Sequence, residues 1–184
     1  RRKKNKMPII INLVGAPGAG KSTGAAYLFY ILKSKGINAE LLTEYAKDKT
    51  WDDNPWVLRN QPYIFGKQLH RIWRLQDKVN IIICDSPIIL SIIYSKEDSQ
   101  LFNDFIIEQY HKYNNINFVL ERKFYNDGYE QNGRNETMQE AIEIDTRIED
   151  VFEDYNLSYT KICENDSKSM VNKILEILKS KKIF

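Results

Sequence analysis

The apolar stretch Pro8-Ile9-Ile10-Ile11-Asn12-Leu13-Val14 runs straight into Gly15-Ala16-Pro17-Gly18-Ala19-Gly20-Lys21-Ser22. No other feature of the chain restricts its fold as tightly. The second segment matches the pattern G-x-x-x-x-G-K-[ST] at every fixed position. Its glycines let successive backbone N–H groups converge on one anion without Cβ clashes. The residues that follow, Lys21 to Lys35, carry a helical pattern ended by Gly36. A strand, a glycine loop and a helix N-terminus therefore follow one another. That order aims the positive end of the helix dipole at whatever the loop holds.

The rest of the chain alternates strand and helix patterns, the signature of a parallel α/β sheet. Asn38 to Thr43 reads as the second strand, and Val79 to Cys84 as a third, apolar on both faces. Ile116 to Leu120 and Leu157 to Cys163 supply two more. Between them, Gln61 to Lys78 has Ile64, Phe65, Leu69, Ile72, Trp73 and Leu75 at helical spacing. Pro87 suits the first turn of a helix, with Ser86 able to cap it. Leu101 to Tyr113, Glu136 to Tyr155 and Ser167 to Lys182 complete the helical segments. Lys47 to Asn60 and Phe124 to Asn135 fit no regular element, and long irregular segments in a compact domain are usually functional loops.

Length and composition agree with one domain: 184 residues, 42% of them hydrophobic. No apolar run approaches the roughly 18 residues that span a bilayer. Cys84 and Cys163 sit in apolar runs and are expected to be buried free thiols in a reducing cytoplasm. His70 and His111 are isolated, so a metal would arrive with a nucleotide. The formal charge of +2 falls to −3 once the five cations of Arg1 to Lys6 are set aside. That arm, residues 1–6, reads as a solvated tail ahead of a natural start at Met7 and a single domain over 7–184; the alternative is an arm that grips nucleic-acid phosphates. The body at −3 offers no broad basic face.

The glycine loop implies a nucleoside triphosphate, with Gly15, Ala16, Pro17, Gly18, Ala19 and Gly20 wrapping its phosphates. Lys21 is expected to bridge the β- and γ-phosphates, Ser22 to bind Mg²⁺ and Thr23 to add a phosphate contact. Ligand sites of parallel sheets lie at the strands' carboxyl ends. Asp85, just past Cys84, should therefore face the loop and hold Mg²⁺ directly or through water; the competing reading is a helix cap. Glu44 ends the second strand, where a carboxylate can accept an acceptor hydroxyl's proton. Asp48 is the reserve candidate. Arg122, Lys123 and Arg134 can neutralise the transferring phosphoryl group from a lid at about 122–136. Arg147 is expected in an ion pair along its own helix with Glu143 or Asp150.

Together these residues resemble the nucleoside and nucleotide kinase group of P-loop proteins. The resemblance implies a three-layer fold with a five-stranded parallel sheet, ordered 2-3-1-4-5, under an arginine-bearing lid. It also implies ATP and Mg²⁺ as cofactors, a nucleoside-like substrate and no membrane. Deoxynucleoside kinases carry a glutamate after strand two, matched by Glu44, and a Gln-x-Tyr segment that reads the base, similar to Gln61-Pro62-Tyr63. Their acidic-Arg-Ser motif stands here as Asp85-Ser86-Pro87, without the arginine. Ribosylnicotinamide kinases offer a partial parallel at Glu44-Tyr45. The chain also resembles phage-type kinases of 5-hydroxymethyluracil within DNA; there Trp51, Trp56, Tyr63 and Phe65 would stack the base, against their alternative as core.

Arg59, Arg71 and Arg74 keep a nucleoside monophosphate kinase open, since they could hold an acceptor phosphate. A nucleotide-dependent ATPase switch is the rival of another class. After Leu120, however, Glu121-Arg122-Lys123-Phe124 stands where a guanine-reading segment would be. Motors of the AAA type normally add a helical domain after the last strand. A DNA-binding module with a vestigial loop would not keep Lys21, Ser22 and Asp85 together. Oligomeric state is left open.

Overall fold

The computed structural model describes residues 7–46, 55–95, 99–121, 138–164 and 166–184. The arm 1–6, Asp48, Trp51, and Arg122, Lys123 and Arg134 of the expected lid lie outside these residues. Five strands form one sheet: β1 (Ile9–Val14), β2 (Ala39–Leu42), β3 (Ile81–Cys84), β4 (Asn114–Leu120) and β5 (Thr160–Ile162). All pairings are parallel and the order is β2-β3-β1-β4-β5, as the resemblance implies. The helices among the described residues are α1 (Lys21–Ser34), α2 (Pro55–Leu58), α3 (Gln61–Trp73), α4 (Leu90–Tyr94), α5 (Gln100–Tyr110), α6 (Met138–Asp154) and α7 (Ser167–Ser180).

Strand β1 shows why the sheet needs helices on both faces. All six of its residues are buried. Ile9, Ile11 and Leu13 pack with Leu28 and Leu32 of α1 and with Ile174 and Leu178 of α7. Ile10 and Val14 face the other way, into a core with Phe65, Ile72, Ile89, Ile106 and Phe152. Alternate side chains of a strand point to opposite faces, so an unbroken apolar run needs two cores.

Asn12 interrupts that run. Its side chain lies in the second core, and its Nδ2 donates to Asn117 Oδ1 at 2.9 Å and Asn115 Oδ1 at 3.0 Å. Asn117 Nδ2 donates in turn to the Tyr110 hydroxyl at 2.6 Å and the Ser158 carbonyl at 2.8 Å. Parallel register sets Asn12 beside Asn117 and Ile10 beside Asn115. The network ties β1, β4 and the end of α5 together inside the core. It also explains why β4 starts at Asn114, two residues before its apolar run.

Several other boundaries move for local reasons. Strand five is only Thr160–Ile162, because Leu157 is spent closing α6: its N–H donates to the Phe152 carbonyl at 2.8 Å while Asn156 adopts φ 49°. Helix α3 stops at Trp73, and the chain turns with Asp77 at φ 64°. Pro87 opens a turn closed by Leu90 N–H to the Pro87 carbonyl, so α4 begins three residues after it and without a Ser86 cap. Residues 55–58, expected to be irregular, form the short helix α2. Among the described residues, no helix is long and apolar enough to cross a membrane.

Replacing Asn117 by leucine removes acceptors and donors from a buried network, costs the Asn12 amide one of its two acceptors and breaks the bond to the Tyr110 hydroxyl. Urea unfolding is expected to show a loss of about 1–3 kcal/mol. A change below about 0.5 kcal/mol would mean the network adds no stability.

Candidate active site

Because the strands are parallel, their carboxyl ends share one edge. From β1 this edge receives the glycine loop, from β2 Thr43 and Glu44, from β3 Asp85, from β4 Glu121 and from β5 Cys163. Gly15 leaves β1 in a tight space: a Cβ there would lie 3.0 Å from Ala19 Cβ and 3.2 Å from the Leu120 carbonyl oxygen. The loop thus sits close against the end of β4, and a side chain at this position would need its neighbours to shift by a few tenths of an ångström. Gly20, at φ 83°, is the residue before α1.

The start of α1 differs from those of α3, α5 and α7. Asn60 caps α3, Ser99 caps α5 and Asp166 caps α7, each through a side-chain oxygen. Helix α1 has Gly20 at that place, no side-chain cap, and no acidic residue in its first turn. Its first N–H groups are left for an outside anion. Ser22 and Thr23 are exposed in that first turn. The Lys21 ammonium donates to the Gly15 carbonyl at 2.7 Å and the Ala16 carbonyl at 3.1 Å. An ammonium has three N–H donors, so one remains for a phosphate oxygen.

Asp145 on α6 is a participant that the residue pattern did not reveal. Its Oδ1 accepts from the Ala16 N–H at 2.9 Å. This bond fixes the entry of the loop to the helix that follows residues 122–137. A single aspartate on an amphipathic helix carries no signal of such a contact.

Asp85 is 4% exposed. Its N–H donates to the Leu42 carbonyl at 3.1 Å, which extends the β2–β3 pairing to the site. Its Oδ1 is buried and has no hydrogen-bond partner among the described residues. A buried carboxylate oxygen without a partner is costly, and a bound cation or its water would relieve it. Asp85 and Ser22 therefore fit a hard divalent cation that keeps most of its ligands from phosphate and water. No cluster of three or more His, Cys, Asp or Glu suited to a metal exists among the described residues.

Glu44 is half-buried at the end of β2. Cys84 reports on both acids. Burial pushes its thiol up to about 12, with hydrogen bonds from Gln68 and the Ser86 amide acting against this, and the charges of Asp85 and Glu44 adding to it. Asp85 follows Cys84 directly, and Glu44 leaves the neighbouring strand two residues past Leu42, the register partner of Cys84. Next to Glu44, Arg71 Nη1 donates to the Thr43 carbonyl at 2.8 Å, and its guanidinium lies 5.2 Å from the Tyr45 ring centre. The Tyr45 and Tyr63 hydroxyls are 2.9 Å apart.

The remaining sequence candidates fall in different places. Gln61 is buried, and its Nε2 donates to the Leu58 carbonyl at 2.7 Å. Phe65 is core, edge-on to Phe102 and Phe105. Trp56 is 70% exposed. The Arg147 guanidinium reaches across to the Ile92 and Ser95 carbonyls, beyond its own helix. Cys163 is half-buried rather than buried, and its thiol donates to Glu121.

The two thiols should behave differently. Cys163 is expected to react first with an alkylating reagent at mildly alkaline pH, and Cys84 only after unfolding, as read by peptide mass mapping. The folded-state value of Cys84 is raised, so its contribution to stability is complete below the ordinary thiol range, about 8.5. It declines as pH rises toward about 12. Cys84→Ala should flatten that alkaline decline.

Comparison with known proteins agrees with this architecture. Over 87 residues the chain is 32% identical to a probable thymidylate kinase of Sulfurisphaera tokodaii, covering 43% of this chain and 45% of that protein. The match thus spans less than half of the relative's length. Among solved structures, deoxyadenosine kinase from M. mycoides, bound to dCMP and a flexible dCDP, superposes with a TM-score of 0.60 at 18% identity, covering 93% of this chain and 99% of that one. Shikimate kinase from Acinetobacter baumannii, in complex with shikimate, gives 0.58 at 15% identity, with 98% and 97% covered. These likenesses show the fold, a P-loop kinase-like α/β sandwich. Residues 10–169 match the AAA_28 family, described as an AAA domain, and the chain belongs to that family.

Proposed function

We propose that this chain is an ATP- and magnesium-dependent kinase that transfers the γ-phosphate to a hydroxyl of a nucleoside-like acceptor. The observation that carries the reading is the uncapped start of α1 behind Gly20, with Lys21 held by the loop carbonyls and Glu44 and Asp85 leaving the adjacent carboxyl ends of β2 and β3. A site that binds a triphosphate and presents a carboxylate to an incoming hydroxyl needs these parts. Support for a nucleoside-like acceptor comes from the matched relative, a probable thymidylate kinase, and from the deoxynucleotides in the neighbouring structure.

In this reading, Glu44 takes the proton of the acceptor hydroxyl. The hydroxyl oxygen bonds to the γ-phosphorus as the bond to the β–γ bridging oxygen breaks, and ADP leaves. Lys21 neutralises charge on the β- and γ-phosphates, as do Arg122 and Arg134 by their place in the sequence. Asp85 and Ser22 would hold magnesium, whose charge supports the phosphates. Gly15 to Thr23 wrap the triphosphate. Tyr45 and Tyr63 border the acceptor, and Gln61 and Phe65 shape its wall from behind.

A second reading is favoured by Arg71, which is fixed beside Thr43 and Tyr45. A guanidinium there suits an acceptor that carries a phosphate of its own, as in a nucleoside monophosphate kinase.

A labelled-ATP screen separates these acceptors. It should include free nucleosides, monophosphates, nicotinamide riboside and DNA carrying 5-hydroxymethyluracil. Lys21→Ala is expected to abolish transfer with the fold retained by circular dichroism; near-normal turnover in it would remove the mechanism. Glu44→Gln should lower kcat by about 10²–10⁴-fold while MgATP affinity by calorimetry stays within a few-fold. Equal, modest losses in both would make Glu44 a structural residue.

A further inference from the structure

The overall charge of the body conceals a local one. From Trp56 to Gln76 the chain has no aspartate or glutamate, but holds Arg59, Lys67, Arg71, Arg74 and His70. Helix α3 buries Ile64, Phe65, Gln68 and Ile72 against the core. Its apolar face is therefore used, and the cations take the outer side: Arg59, Lys67, His70 and Arg74 are exposed. The net charge of the body does not describe this helix.

Aromatic rings alternate with these cations. Arg59 lies 4.4 Å from the centre of the Trp56 ring and Lys67 lies 5.3 Å from that of Tyr63. His70 stacks on Trp73 with centroids 5.8 Å apart and planes at 26°. Trp56 and Trp73 are 70% and 60% exposed. Indoles are rarely left this open, because each presents a large apolar face to water. Here each has a cation or an imidazole beside its ring and still leaves well over half its surface to water. The row follows α3, which rises about 18 Å from Gln61 to Trp73.

We infer that the outer face of α3 is a docking track for a single-stranded polynucleotide. Its cations match the phosphate backbone, and its indoles match the faces of unstacked bases. A duplex hides those faces. A bilayer surface would need a broad apolar stripe, and α3 has already given its stripe to the core. The track runs along the helix that carries Tyr63 and Arg71, the neighbours of Glu44. A strand lying on it would bring one nucleotide to the acceptor carboxylate. This last step rests on the proposed kinase reading; binding by the track does not.

Fluorescence anisotropy with a labelled oligothymidine tests the track. The whole chain should bind it, with affinity falling as salt rises. Lys67→Ala/Arg74→Ala should weaken binding at least tenfold and reduce the slope of log affinity against log salt by about 1.4, at about 0.7 per backbone contact on a single strand. Trp73→Ala should weaken binding about fivefold or more with the slope unchanged. MgATP uptake by these variants should equal that of the unaltered chain; a parallel loss would show that the substitutions act through the fold and would overturn the assignment of the track. Absence of oligothymidine binding overturns the proposal. So does binding that survives these substitutions, or a preference for the matching duplex or for phosphatidylserine vesicles.

Discussion

A parallel sheet delivers every strand's carboxyl end to the same edge, and this polarity is what the rest of the molecule depends on. Strand β1 lies at the centre, so its exit loop has neighbours on both sides. Leu120 of β4 presses against Gly15, and Asp85 of β3 lies one strand away with its place fixed by the Leu42 carbonyl. Neither contact could form if one strand ran the other way. Helix α1, packed on the sheet through Leu28 and Leu32, then holds its uncapped amides at that edge.

Rigidity at the edge comes from polar bonds placed inside the frame. The asparagine network joins β1 and β4 below the loop, and Asp145 grips the loop from α6. A phosphate cradle works by preorganisation: its amides must point inward before the anion arrives. Buried polar groups suit that task, since each has few alternative partners and so few alternative geometries. Lys21 follows the same logic, with its ammonium tied to two loop carbonyls.

The outer face of α3 obeys a different physics. It is open to water, its charges are of one sign, and its rings are exposed. Such a surface adds little to folding, because exposed cations near one another repel. Its cost makes sense where an anion is to be met. The face adjoins Tyr45 and Arg71, so recognition of a long acceptor and positioning of its reactive hydroxyl would share one helix.

The sequence alone determined the sheet class and the phosphate loop. Unbroken apolar runs cannot sit in a one-sided sheet, and glycines with lysine and serine at fixed spacing have one economical use. The position of Asp85 and Glu44 at strand ends was equally legible, since strand polarity places them. Tertiary structure decided what depends on residues far apart in the chain. Asp145 meets Ala16 across 129 positions, and Asn12 meets Asn117 across 105. No local pattern encodes such pairs, because each partner alone looks like an ordinary polar residue. Gln61 and Phe65 show the same limit from the other side. The resemblance gave Gln61 a base-reading role and left Phe65 between stacking and core; that one meets the Leu58 carbonyl and the other lies in the core was decided by packing. Burial is a property of the assembled layers, and only assembly could assign it.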